Sequence, residues 1–285
     1  MTHANLIGAA LAAIRNVPMQ FGAPTIKKGA NKAPQLARKK NYQEAGEQME
    51  LQTRLEKEAR IMGAAYFGIA DLSQARQAAI TPYEEKLISR FPFAISIGVP
   101  LAATVVDGLG VESDNIALQN YWFHVYEAVN PLINSITLKL SQIISDEGFQ
   151  AVPVPASQTV SRENLYGIFS NKMAASLAGL GWVGKNCLLI TPDRGPRVRW
   201  GAILTDAPLS AGKLLQGKGC GGCNICVEAC PAGAFTGKSF IPSEPRAERM
   251  DAMKCFRLME ERRKTIGVSA CGHCVYVCPF GQKTK

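Results

Sequence analysis

The chain has 285 residues, 47% of them hydrophobic, and a net charge of +9, which allows a sizeable core in one large domain or two smaller ones. No apolar run reaches the roughly 18–20 residues of a membrane-spanning helix. "LIGAALAAI" near the start is too short to span, and it lacks a Lys/Arg-rich lead and a twin-arginine pair, so a cytoplasmic protein with no membrane association is expected.

Residues 24–40 carry Lys27, Lys28, Lys32, Arg38, Lys39 and Lys40 and no acid. They read as a solvated arm, or as a patch for nucleic acid or an acidic redox partner. Residues 42–62 are charged and helix-like. "AAYFGIA" (64–70) and "FAISIGV" (93–99) are short apolar runs bounded by Gly and Pro, the pattern of buried strands. Pro131 starts or kinks a helix that continues with Ile133, Ile136, Leu140 and Ile143 at helical spacing, and Gly148 is its natural stop. "AVPV" (151–154) reads as a strand, "NKMAASLAGL" (171–180) as a helix, and "CLLI" (187–190) and "WGAILTD" (200–206) as strands. Alternating strands and helices predict an α/β layered fold. "SAGKLLQGKG" (210–219) reads as a linker. The predicted organisation is an N-terminal extension over 1–54, an α/β domain over 55–210 and a cysteine-rich domain over 211–285.

Eight of nine cysteines lie between residues 220 and 278. In a reducing compartment such crowding indicates metal before disulfides. Cys220, Cys223, Cys226 and Cys230, followed by Pro231, form C-x2-C-x2-C-x3-C-P, the bacterial ferredoxin run whose fourth thiolate reaches a second cluster. Cys271, Cys274 and Cys278, followed by Pro279, repeat its end without the leading cysteine, a place that Cys255 can fill. The crossed pattern predicts one [4Fe–4S] cluster on Cys220, Cys223, Cys226 and Cys278, and another on Cys230, Cys255, Cys271 and Cys274. Structural zinc would instead use paired cysteines, four to an ion. His273 reads as a bystander, and Cys187 as a buried, inert thiol.

"AGLGWVGKN" (178–186) contains G-x-G-x-x-G and also nearly spells a P-loop. Both phosphate motifs require a strand before the glycines and a helix after them. The predicted order here is the reverse, and Asn186 stands where a magnesium-binding hydroxyl is needed. Gly181 and Gly184 then serve a close backbone approach, either to a neighbouring strand or to a large flat cofactor. Lys185 and Arg199 read as ordinary surface cations or as anion-binding groups beside that cofactor. Asp206 reads as a turn residue ahead of Pro208.

"AASLAGLGWVGKNCLLI", "GAILTDAPL" and the cysteine runs together resemble the cobalamin-dependent epoxyqueuosine reductases and their relatives, the reductive dehalogenases. "MDAMKCFRLM" around Cys255 resembles the segment carrying the solitary cluster cysteine of the reductases. "ITPDRGPRVRWGAILTDAPL" is closer to the dehalogenase form, and "ARIMGAAYFGIADLS" (59–73) is similar to the opening strand of the catalytic domain. The resemblance spans roughly 55–282. It implies a nitroreductase-like, cobalamin-binding α/β domain followed by a ferredoxin-like two-cluster module. Electrons would run from an external one-electron donor, such as a ferredoxin or flavodoxin, through two [4Fe–4S] clusters to cobalamin and the substrate.

Three departures bear on the substrate. The reductases' proton-donating Asp stands thirteen residues before the Ala of this motif, a position held here by Leu165. Tyr166 is beside it, and dehalogenases use a Tyr, so Tyr166 is the candidate donor; alternatively it is a buried tyrosine with a hydrogen-bond partner. The chain ends seven residues after Cys278, where tRNA-acting members continue into a helical-repeat domain. A twin-arginine leader, typical of exported dehalogenases, does not precede the domain. The expected function is a cytoplasmic iron–sulfur reductase using cobalamin on a small substrate. The alternatives are an epoxyqueuosine reductase acting on tRNA, gripped by the basic arm, and a non-catalytic electron carrier.

Overall fold

The computed structural model describes residues 45–78, 81–110, 115–215 and 219–282; the basic stretch at 24–40 lies outside them. Helix α1 (Ala45–Ile61) buries Leu51, Leu55 and Ala59 at intervals of four, a single apolar stripe. The expected boundary after residue 54 therefore falls inside a helix that belongs to the core. Strand β1 (Tyr66–Asp71) follows, and Asp71 caps the next turn by accepting the Ser73 N–H at 2.8 Å. Helix α2 (Pro82–Arg90), absent from the sequence expectations, begins with a reciprocal capping box between Thr81 and Glu84.

Strand β2 (Phe93–Pro100) leads to α3 (Ala103–Asp107) and α4 (Asn115–Trp122). Helix α4 widens into a π-helical stretch over Phe123–Val129 and continues as α5 (Asn130–Asp146), with Pro131 at the junction. Strand β3 (Ala151–Val154), helix α6 (Asn171–Leu177), the two-stranded hairpin β4 (Trp182–Val183) and β5 (Leu189–Ile190), and strand β6 (Val198–Thr205) complete this half. The cysteine-rich segment adds α7 (Ile225–Glu228), α8 (Ala252–Thr265) and α9 (His273–Tyr276).

The main sheet has the order β1-β2-β6-β3, and every pair is antiparallel. The expected mixed class is present, in its α+β form rather than as a parallel layer. Alternate residues face opposite sides of each strand. Ile69, Ile95, Ile97 and Ile203 share one apolar cluster with α1 and α5. Ala70, Ala94, Ala202 and Leu204 share another with α2 and α6. Helices thus cover both faces of the sheet. The first cluster also takes in Tyr121 and, from the cysteine-rich segment, Val268, Ala270 and Val275. The two halves share one core, and Lys39–Lys285 forms one compact unit. Among the described residues no helix is long and apolar enough to cross a membrane.

Candidate metal centres and the adjoining cavity

The glycine motif follows α6, and Gly179 (φ +77°) turns the chain into β4. Helix, glycines and strand occur in the order expected, so no helix N-terminus faces the glycines, as a phosphate site would need. A Cβ on Gly181 would lie 2.2 Å from the Ile190 carbonyl oxygen, and one on Gly184 would lie 2.8 Å from Asn186 Oδ1 and from the Ile190 side chain. The close approach that these two glycines permit is made by their own hairpin, the neighbouring-strand reading of the two given above.

The hairpin tip carries the polar groups. Lys185 is only 7% exposed, so it is not a surface lysine; its Nζ donates to Asn224 Oδ1 at 2.8 Å, between Cys223 and Cys226. Asn186 Nδ2 donates to the Cys274 carbonyl at 3.2 Å. One tip therefore touches both cysteine runs. Cys187 is buried as expected and takes a left-handed backbone (φ +55°), and its carbonyl accepts Lys172 Nζ at 2.7 Å. Burial lowers the Lys172 pKa.

Cys220, Cys223, Cys226 and Cys278 line one cavity together with Asn186, Ile190 and Phe280. Burial, followed by the charges of Cys278, Cys220 and Cys223, pushes the Cys226 thiol up to about 11. Cys255 rises to about 11 through burial and then the charges of Cys271 and Cys230. Cys274 is raised by burial and by Cys271, Cys255, Cys226 and Cys230. The thiols thus gather as two neighbouring quartets. Among the described residues no three His, Cys, Asp or Glu side chains converge tightly enough for a single metal ion. Four soft thiols around a wider space suit a cube with a thiolate at each corner. His273, at the start of α9, has its ring 6.0 Å from that of Tyr276.

A second cavity, of about 300 Å³, lies in the sheet half. Residues 154–158 and 167–169, Tyr126, Asn171 and Arg199 form its wall. Arg199 Nε donates to Asn130 Oδ1 at 3.1 Å, and its guanidinium lies 5.3 Å from the centroid of the Tyr126 ring. Arg199 is therefore a cavity residue and not an ordinary surface cation. Tyr126 comes from the π-helical stretch, a distortion frequent at functional sites. Asp206 accepts the Gln150 N–H at 2.8 Å and the Gln150 side-chain amide at 3.0 Å, so its carboxylate ties the end of β6 to the residue before β3, a long-range contact in place of the expected local turn.

Buried Tyr121 connects the two regions. Its ring packs where a side chain on Gly272, between Cys271 and Cys274, would otherwise stand. Burial first, and then Tyr126, raises its pKa, with Cys274 and Cys271 adding to the shift.

Tyr166 does not line the cavity; its neighbour Gly167 does. The Arg246 guanidinium lies 4.8 Å from the Tyr166 ring centroid and donates to the Leu165 carbonyl at 3.0 Å and to that of Asn164. Leu165 is held in the left-handed region (φ +53°), a conformation that costs a non-glycine residue about 1–3 kcal/mol. Arg246 therefore pins a strained loop that forms part of the cavity wall. Arg246→Ala is expected to speed tryptic cleavage after exposed Arg162 about tenfold, since loss of a charged hydrogen bond of about 1.5 kcal/mol raises local opening by that factor. An unchanged cleavage rate would remove this role.

Residues 219–281 match the model of the 4Fe-4S double cluster binding domain. Together with the two thiol quartets, this defines a double-cluster iron–sulfur protein on an antiparallel α+β scaffold. The epoxyqueuosine reductase of Bacillus cereus is 36% identical over 115 residues, covering 40% of this chain and 30% of the relative. That of Pseudomonas aeruginosa is 32% identical over 122 residues, covering 39% and 31%. The matched region thus spans about a third of these relatives' length. An epoxyqueuosine reductase solved with an epoxyqueuosine-modified tRNA stem loop superposes with a TM-score of 0.55 at 19% identity, covering 82% of this chain and 66% of that one. A catabolic reductive dehalogenase in complex with 3-bromo-4-hydroxybenzoic acid also gives 0.55, at 18% identity, covering 80% and 31%. In sequence the chain is similar to epoxyqueuosine reductases over about 40% of its length, and it shares the fold of the solved reductase and reductive dehalogenase.

Proposed function

We propose that the protein is an iron–sulfur oxidoreductase of the epoxyqueuosine reductase kind, working in the cytoplasm, where its thiols stay reduced. One cluster is assigned to Cys220, Cys223, Cys226 and Cys278, and the other to Cys230, Cys255, Cys271 and Cys274. The supporting observation is that one quartet has an exposed loop between two of its thiols, while the other adjoins the cavity. Gly221 and Gly222 are exposed and Cys220 and Cys223 are half-buried, whereas buried Tyr121 stands between Cys271, Cys274 and the Tyr126–Arg199 corner. Electrons from an external ferredoxin or flavodoxin enter at the exposed side and leave toward the cavity. A protein that only carried electrons would not need such a cavity.

A corrinoid, when bound, supplies a low-potential metal centre for the reduction. The cavity encloses only a fraction of a corrinoid's volume, so its walls fit part of the cofactor's rim or the substrate. Arg199, oriented by Asn130 and Tyr126, suits an anionic group on either. Tyr126 holds a proton at Oη on the cavity wall, whereas Tyr166, the donor expected from sequence, lies beneath Arg246. Reduction of an epoxide to an alkene takes two electrons and two protons and releases water. The assigned substrate is epoxyqueuosine in tRNA, after the partly matching relatives. A second reading, reduction of a small halogenated aromatic, is favoured by Leu165 in place of the acid and by the tyrosine and arginine in the cavity.

The test is anaerobic reconstitution with iron, sulfide and cobalamin, followed by assays with epoxyqueuosine-modified tRNA and with a bromophenol. Restored queuosine in a strain lacking the reductase supports the first reading. Fully loaded protein that fails there but releases bromide supports the second. In either case Arg199→Gln is expected to lose tenfold or more in turnover with its iron unchanged, as removal of about 1.4 kcal/mol of transition-state stabilisation requires.

A further inference from the structure

Lys185 is a buried cation that the proposed chemistry does not use. Its only polar partner among the described residues is the neutral side chain of Asn224, and none of their ion pairs includes it. A buried ammonium without a counter-charge is costly. Nζ reaches the loop between Cys223 and Cys226, and the next residue, Asn186, lines the cavity of the first quartet. Four thiolates around a [4Fe–4S] core carry a net negative charge, which grows by one on reduction. The missing counter-charge is therefore the cluster.

We propose that Lys185 is a positioning and tuning residue that raises the reduction potential of the cluster on Cys220, Cys223, Cys226 and Cys278. A fixed positive charge favours the more negative, reduced state, and hydrogen bonding and charge around the sulfurs set cluster potentials. The inference rests on the cluster assignment above. The charge lets that cluster accept electrons from weaker donors than it could without the lysine.

The experiment is an anaerobic potentiometric titration of the reconstituted full chain, followed by electron paramagnetic resonance. Lys185→Gln is expected to shift one of the two midpoints to more negative potential and to leave the other in place. Lys185→Arg is expected to keep both. The affected cluster is identified as the one that Cys220→Ala abolishes. Asn224→Leu, which removes the hydrogen bond but leaves the charge, is expected to move that midpoint less than Lys185→Gln does. Fully loaded Lys185→Gln with both midpoints unmoved, or an equal shift in Asn224→Leu, overturns the proposal. If Lys185→Gln fails to load, Asn224→Asp against Asn224→Leu decides. A carboxylate that pairs off the lysine lowers the midpoint, and equal midpoints in the two variants overturn the proposal. Unmodified protein without any [4Fe–4S] signal would instead overturn the cluster assignment on which this rests.

Discussion

Combining Cys220→Ala with Cys278→Ala is expected to leave one assembled cluster, half the iron of the unmodified protein. Combining Cys220→Ala with Cys230→Ala is expected to leave none. Each cluster needs four thiolates, so a second loss from the same quartet adds nothing, and a loss from the other quartet removes the remaining cluster. The geometry behind this is the crossing of the chain. Cys278, from the end of the second run, shares a cavity with Cys220, Cys223 and Cys226. Cys230, from the end of the first run, lies with Cys271 among the charges acting on Cys255. Local pairing of each run with itself predicts the opposite result: Cys220→Ala with Cys230→Ala would keep half the iron. Iron and sulfide per chain, with the spectrum of the reduced protein, separate the two outcomes. Equal iron in both double variants would defeat the crossed arrangement.

Gly181→Ala is expected to destabilise the protein by about 3 kcal/mol, the upper end of what overpacking costs. The new methyl would sit 2.2 Å from the Ile190 carbonyl oxygen and 2.9 Å from its carbon. Both atoms are backbone, so no rotamer change relieves the clash, and β4 must separate from β5. For a chain of this size the loss corresponds to roughly 6–12 °C in Tm. Gly108→Ala is the control. Its nearest neighbour would be the Ala117 methyl at 3.7 Å, an ordinary contact, and its effect should stay within about 0.5 kcal/mol. Because the strained hairpin also carries Lys185 and Asn186, Gly181→Ala is further expected to lower cluster content, whereas the control is not. Equal melting temperatures for the two variants would show that the hairpin yields freely.

What the sequence made legible follows the range of the interactions involved. α1, β1, β2, α5, β3, α6 and β6 each announce themselves by local periodicity or by a short apolar run between breakers, and each lies close to its expected place. The antiparallel order of the sheet was not legible, because β6 joins β2 across about a hundred residues and nothing local encodes that choice. α2 was missed although Thr81 and Glu84 spell its capping box; at nine residues it is too short for the apolar spacing to repeat. Tyr126 was missed for a different reason. The π-helical stretch rotates it relative to ordinary helical spacing, and no residue pattern marks the change. The cysteine spacing suggested the grouping of the thiols, since short loops constrain which sulfurs can meet. Lys185 was legible only as an ambiguous cation, because its burial depends on a partner 39 positions away.

The hairpin tip has a consequence for any attempt to treat the cysteine-rich segment as a portable ferredoxin. Its first run is tied through Asn224, its second through the Cys274 carbonyl, and both ties come from Lys185 and Asn186, outside the segment. Phe280 rests edge-on against Trp182, 5.0 Å between ring centroids, so part of the wall around one quartet also belongs to the other half. Excised at residue 219, the segment would have eight ligands but an unfinished floor. A transplant that keeps the wiring must carry the hairpin with it, and in a host scaffold "AGLGWVGKN" would act as the socket.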